Sequence, residues 1–133
     1  MQLGKITQVM GPVVDVHFDQ VPLPFIHSAL QVDNHGKKSI MEVMQHTGTN
    51  TVRCIMLSPS EGLQRDMPVL YRGMGIEVPV GQQNLGRLFN VLGDTIDDQA
   101  PLETDNYWEI HRKPPKFEDQ SPVTEVLETG IKV

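Results

Sequence analysis

In the first eighty residues, apolar runs of strand period alternate with turn chemistry so closely that no helix of ordinary length fits among them. "VVDVHF" puts Val14, Val16 and Phe18 on one face and Val13, Asp15 and His17 on the other, the pattern of a half-buried strand. "LGKITQV" precedes it across Met10-Gly11-Pro12. "DQVPLPFIH" carries Pro22 and Pro24, which withhold ladder donors and predict an extended crossing outside any sheet. "SALQV" and "SIMEVMQ" flank Asp33-Asn34-His35-Gly36, a hairpin turn in which Asn34 and Gly36 are expected at positive φ. "TVRCIML" follows across a loop containing Gly48, and "MPVLYRG" and "IEVPVG" complete the section.

Five or six such strands predict an all-β fold, and a small closed barrel in particular. A short sheet with apolar residues on alternate positions has few other ways to hide both edges. The two contiguous hairpins should form its spine. On "SIMEVMQ", Met41 and Val43 alternate with Ile40, Glu42 and Met44, so the strand is apolar inside and partly apolar outside, the surplus expected of a barrel with lateral neighbours.

After Gly81 the texture changes. "QQNLGRLFNVLGD" places Leu85, Leu88, Phe89 and Leu92 at helical spacing and predicts one short helix with Gly93 just past its end. "TIDDQAPLETDNYWEIHRKPPKFEDQSP" is acidic, proline-bearing and without period, and is expected to lie as a strap over something larger. "LETGIKV" ends the chain with Thr129 as a helix N-cap and only four residues after it, fewer than a nucleated helix needs. A boundary at Pro79 to Gly81 divides the chain into residues 1–80 and 81–133.

Charge and cysteine usage exclude several function classes. Residues 1–80 hold six Lys/Arg against seven Asp/Glu, and residues 81–133 hold five against ten, so neither part offers the basic stripe that phosphate-backbone binding requires. The single cysteine, Cys54, cannot form an internal disulfide and is expected to be a small buried hydrophobe, with Arg53 on the opposite face. No apolar run approaches the ~20 residues of a membrane span, so the chain is expected to be soluble, with membrane association only through partners.

Candidate ligands are weak by spacing. His17, His27, His35 and His46 stand singly, without the short-range pairing of a metal site. Asp94, Asp97 and Asp98 in "DTIDD" lack the spaced oxygens and glycine turn of a calcium loop. "HRKPP" has acidic neighbours on both sides that dilute its field. Met41, Met44 and Met56 are expected to fill the core.

In order along the chain stand "GKITQVMGPVVDVHF", "NTVRCIML", "EGLQRDMPV", "IEVPVGQQNLGRLFNVLGDTID", "IHRKPPKFEDQ" and "LETGIKV". Together these phrases resemble the amino-terminal part of the β subunit of F-type ATP synthases, over essentially the whole chain. The resemblance implies a six-stranded barrel over residues 1–80, then the initial, incomplete segment of an α/β nucleotide-binding domain. It implies α subunits as partners in an alternating hexamer, and ATP synthesis coupled to ion transport, hydrogen ions among the candidates. It also implies Mg-ATP or ADP as ligand of the parent protein, and a peripheral position on the cytoplasmic side of a bacterial inner membrane or the equivalent organelle face.

The family's phosphate loop is missing: no G-x-x-x-x-G-K-[ST] occurs in the chain. No residue is therefore assigned as catalytic, cofactor-binding or metal-binding. The role expected of this piece is hexamer assembly through barrel-to-barrel contacts at strand edges and loops, with Thr129 opening a helix cut short at Val133. The alternative of another class is a small β-barrel nucleic-acid-binding module. It needs stacking aromatics, for which the first eighty residues offer only Phe18, Phe25 and Tyr71.

Overall fold

The computed structural model describes residues 1–126 and Glu128. The N-cap expected at Thr129 lies outside the described residues. Six strands form the body: β1 (Gln2–Met10), β2 (Val13–Phe18), β3 (Ser28–Asn34), β4 (Lys37–His46), β5 (Thr51–Met56) and β6 (Pro68–Gly75). They pair antiparallel in the order β1-β2-β5-β4-β3-β6, and β6 returns to β1 to close a barrel. The expected all-β architecture and its β3-β4-β5 spine are both present.

Burial follows a period of two because each strand shows one face to the inside. Val14, Val16 and Phe18 of β2, Met41 and Val43 of β4, and Val52 and Cys54 of β5 are all fully buried. Ile6, Leu30, Val32, Val69 and Tyr71 complete the interior from the other three strands. Burial, with a smaller contribution from the Asp15 charge, pushes the Cys54 thiol up to about 12. The thiol stays protonated at neutral pH and packs as an apolar group.

Six strands close a ring only if the ladder bends sharply. Register irregularities fall between Ile6 and Gln8 on β1 and between Val43 and Gln45 on β4, and bulges at such places increase local bend and twist. Thr7 Oγ1 donates to the Asp15 carbonyl at 3.1 Å beside the first of them.

The β3–β4 turn departs from expectation in one residue. His35 (φ 54°) and Gly36 (φ 84°) take the two left-handed positions, and the Asp33 carboxylate accepts the Gly36 N–H at 2.6 Å. Asn34 stays in the strand instead. Its side chain is buried and donates to the Glu61 carbonyl at 2.7 Å, tying the hairpin end to the β5–β6 loop, so its polar group was needed there more than its tolerance of positive φ.

Past β6 the chain leaves the ring. β7 (Glu77–Pro79) pairs antiparallel with β8 (Tyr107–Glu109) in a separate two-stranded sheet, so "IEVPVG" supplies no barrel strand. The helix expected around Leu85 to Leu92 does not form. A single 3₁₀ turn covers Gln82–Asn84, and Leu85, Leu88 and Val91 are exposed.

Gly86 (φ 75°) and Gly93 (φ 80°) break the segment with left-handed conformations at both ends. Between them Asn90 Oδ1 accepts the N–H groups of Leu92 and Asp94, both at 2.9 Å, an Asx-type turn that competes with helix. A stripe of four apolar residues cannot hold a helix against these local bonds without a surface to pack on. Residues 110–126 are almost wholly exposed, with one 3₁₀ turn at Phe117–Asp119, in keeping with the aperiodic strap.

Candidate functional site

Two features of the barrel exterior stand out. The first is a row of directly opposed residues running around the wall: Met10 faces Val13, Val13 faces Ile55, Ile55 faces Glu42, and Glu42 faces Ala29. Met10 and Ile55 are 40% and 38% exposed, so three apolar side chains meet solvent side by side. The partly apolar exterior expected of β4 is present, but core filling holds only for Met41 and Met56: Met44 is 41% exposed, because strand alternation puts it on the face opposite Met41 and Val43.

Just beyond this row the wall is polar but fixed. Arg53 makes a bidentate pair with Asp15 directly across the β2–β5 ladder, Nε to Oδ1 and Nη2 to Oδ2 both at 2.8 Å. Those hydrogen bonds hold the Asp15 carboxyl below the usual carboxylate range, against the opposing effect of burial. Outside the barrel, Arg87 holds Asp97 in the same way, helped by the N–H groups of Leu88 and Gln99, and the Asp97 carboxyl lies well below its usual range.

A carboxyl depressed in the folded state contributes stability that is fully present above its unfolded value near 3.9 and is lost as pH falls through the folded value. The melting temperature of the barrel is therefore expected to fall between about pH 5 and pH 2, and Asp15→Asn to be less stable at neutral pH with a shallower acid slope. Melts followed by circular dichroism at stepped pH check this; identical slopes in the two proteins would contradict it.

The second feature is a seam where the strap meets the wall. His27 lies in the crossing before β3, at φ 70°, with its N–H bonded to the Val43 carbonyl at 2.7 Å. His111 lies just after β8. The Nδ1 of His27 and the Nε2 of His111 each sit 2.7 Å from the same oxygen, Oε1 of Glu42. Their rings stack with centroids 4.0 Å apart at 28°. Glu42 is well covered, whereas both histidines are about half exposed. A cavity of about 300 Å³ adjoins the cluster, lined by Ser28, Tyr71, Gly75 and Glu109 as well as the two histidines.

Residues 6–73, just over half of the 133, match the sequence model described as ATP synthase alpha/beta family, beta-barrel domain. The chain belongs to the ATP synthase alpha/beta family. The closed ring of β1 to β6 is the barrel of that family, and the matched span takes in residues from all six strands.

In this ATP synthase family chain the residues singled out from sequence fall in separate places. His17 meets Thr51 and Asp19, His35 meets the Gly62 carbonyl, and His46 meets the Pro24 carbonyl at 2.8 Å. Asp94 accepts from Asn90 and Asp97 from Arg87, while Asp98 lies exposed. In "HRKPP", His111 turns to Glu42 and Arg112 stacks on Trp108, its guanidinium carbon 3.6 Å from the ring centroid.

Only His27 of the sequence candidates joins a cluster among the described residues, and its partners Glu42 and His111 were not singled out as ligands. Spacings of 15 and 69 residues carry no local signal. No helix among the described residues is long and apolar enough to cross a membrane.

Closure bears on the expected contact through strand edges. Each of the six strands is bonded on both sides, so the ring has no free edge, and any lateral contact must use outward side chains and loops.

Proposed function

We propose that this chain is the amino-terminal part of the catalytic β subunit of a rotary F-type ATP synthase, and that its barrel serves hexamer assembly by contacting α-subunit barrels. The observation that carries the assembly role is the contiguous apolar row of exposed Met10, half-buried Val13 and exposed Ile55 across three adjoining strands, with Leu3, Met44 and Met74 as further exposed apolar side chains on the same barrel. The β assignment rests on the six collinear phrases, and family membership supports the subunit class.

Mg-ATP and ADP belong to the parent protein in this reading. No phosphate loop occurs among the 133 residues, so none of them is assigned to nucleotide, and the chain alone should not hydrolyse ATP. The place implied for the complex is peripheral, on the cytoplasmic side of a bacterial inner membrane or its organelle equivalent. A boundary near Pro79 to Gly81 separates the assembly barrel from the start of the nucleotide-binding domain.

A single-strand-binding barrel is less well supported. Of its three candidate stacking aromatics, Phe18 and Tyr71 are core residues, and only Phe25 faces solvent.

The test is sedimentation or calorimetry of this chain with an isolated α-subunit barrel. Association is expected, and Ile55→Glu should weaken it by about tenfold or more, since burial of such a side chain contributes roughly 1.5–3 kcal/mol. The new carboxylate stands directly opposite Glu42, so the variant should melt slightly below the parent, and Ile55→Lys, which faces Glu42 with the opposite charge, is the companion expected to melt like it. No association at high micromolar concentration, or full association by the variant, would remove the assembly reading.

A further inference from the structure

We propose that His27, Glu42 and His111 form a binding site for a divalent transition-metal ion of the zinc type, which clamps the segment after β8 to the barrel wall. The donor set is two imidazole nitrogens and one carboxylate oxygen, all within 4.8 Å of one another. Imidazole with carboxylate suits zinc, nickel, cobalt and copper, whereas magnesium and calcium favour all-oxygen sets. Three protein ligands with room for a fourth from water is a known zinc arrangement. The adjoining cavity of about 300 Å³ supplies that room.

The arrangement is built from unlike rigidities. Glu42 is held on β4, paired with Ala29 on one side and Ile55 on the other, and its side chain is only 12% exposed. The carboxylate is therefore a fixed anchor. Both rings are about half exposed and are held by Glu42 and by their mutual stacking alone among the described contacts.

Zinc with bonds of about 2.0–2.1 Å separates tetrahedral ligand atoms by roughly 3.3 Å. The present 2.7 Å separations must then open by about half an ångström, and the stacked rings must tilt apart to point their lone pairs at one ion. Rotation of the two exposed rings accomplishes both without moving the ladder. Among the described residues neither remaining ring nitrogen, Nε2 of His27 or Nδ1 of His111, has a recorded partner. Metal-binding histidines usually are oriented by such a partner, so affinity in the micromolar range is expected and not the far tighter binding of closed structural sites.

The site borders the apolar row, since Glu42 stands directly opposite Ile55, but neither histidine belongs to it. Its members come from the crossing, the wall and the strap, three parts of the chain far apart in sequence, so occupancy ties the strap to the barrel. The assignment does not depend on whether the subunit is of the α or β type.

The experiment is calorimetric titration of the chelator-treated chain with zinc chloride, repeated with His27→Ala, His111→Ala and Glu42→Gln, and with His35→Ala as a control for scattered surface histidines. One micromolar site is expected, weakened at least tenfold in each of the first three and unchanged in the control. Cobalt in place of zinc should give the visible absorption of a four-coordinate ion, and magnesium should not compete. Saturating zinc should slow proteolytic cleavage in residues 112–126 in the parent but not in His111→Ala. Absence of binding below millimolar zinc would overturn the proposal, as would binding that survives in both single histidine variants. Metal-free melts of each variant identify any that fails to fold, and Glu42→Gln, which preserves side-chain size, then decides.

Discussion

Phe18→Ala is expected to cost about 3–5 kcal/mol, the range for truncating a fully buried aromatic. Phe18 is inaccessible to solvent and ends β2 at the place where β1 faces it through Gly4. The loss has two parts, the transfer free energy of the ring and the cavity left behind. The second should be large here, because every strand around the vacancy is hydrogen-bonded on both sides and cannot lean inward.

Native domains are stable by only about 5–15 kcal/mol, and a small barrel has few other large side chains to compensate. A fall in melting temperature of more than about 10 °C should appear in a scanning calorimeter. A urea midpoint within error of the parent would show that the ring is not packed as described.

Gly4→Val is expected to do comparable damage from the opposite direction. A Cβ at this position would lie 2.8 Å from Phe18 Cε1 and 2.9 Å from the His17 carbonyl oxygen. The first contact is with a side chain wedged in the core. The second is with backbone held in register with β1, so it cannot yield without breaking the ladder.

Overpacking of this kind costs about 1–3 kcal/mol for a single methyl, so Gly4→Ala should fall in that range and Gly4→Val above it. The pair should also be coupled. In a Phe18→Ala background the ring contact vanishes but the carbonyl contact stays, so Gly4→Ala should become cheaper by about 0.5–3 kcal/mol without becoming neutral. Strict additivity in that double-mutant cycle would place Phe18 elsewhere.

Much of this fold was written in local pattern. Val14, Val16 and Phe18 alternate with polar positions in the sequence and lie on one face in the structure, because strand period alone decides which side a residue takes. The β3–β4 and β4–β5 hairpins were equally legible from their spacing. Leu85, Leu88, Phe89 and Leu92 show where such pattern fails: helical spacing is only an opportunity, and Asn90 with two flanking glycines preferred turns.

At the seam nothing local could have pointed to Glu42 or His111. Their meeting with His27 is fixed by the β4 register, by the path of the crossing and by the β7–β8 pairing that returns the strap to the wall, all long-range facts. The ion pair of Asp15 with Arg53 was half visible: both residues were placed on outward faces, but that they stand opposite each other depends on β2 pairing with β5.

Because β6 zips back onto β1, none of the six ribbons is outermost, and none can peel away while the other five persist. Deuterium uptake by the amides of Gly4, Val16, Leu30, Val43, Cys54 and Val69 should accordingly converge on one slow rate set by whole-body opening, with no early-exchanging rim. A piece so indivisible transmits force as a unit.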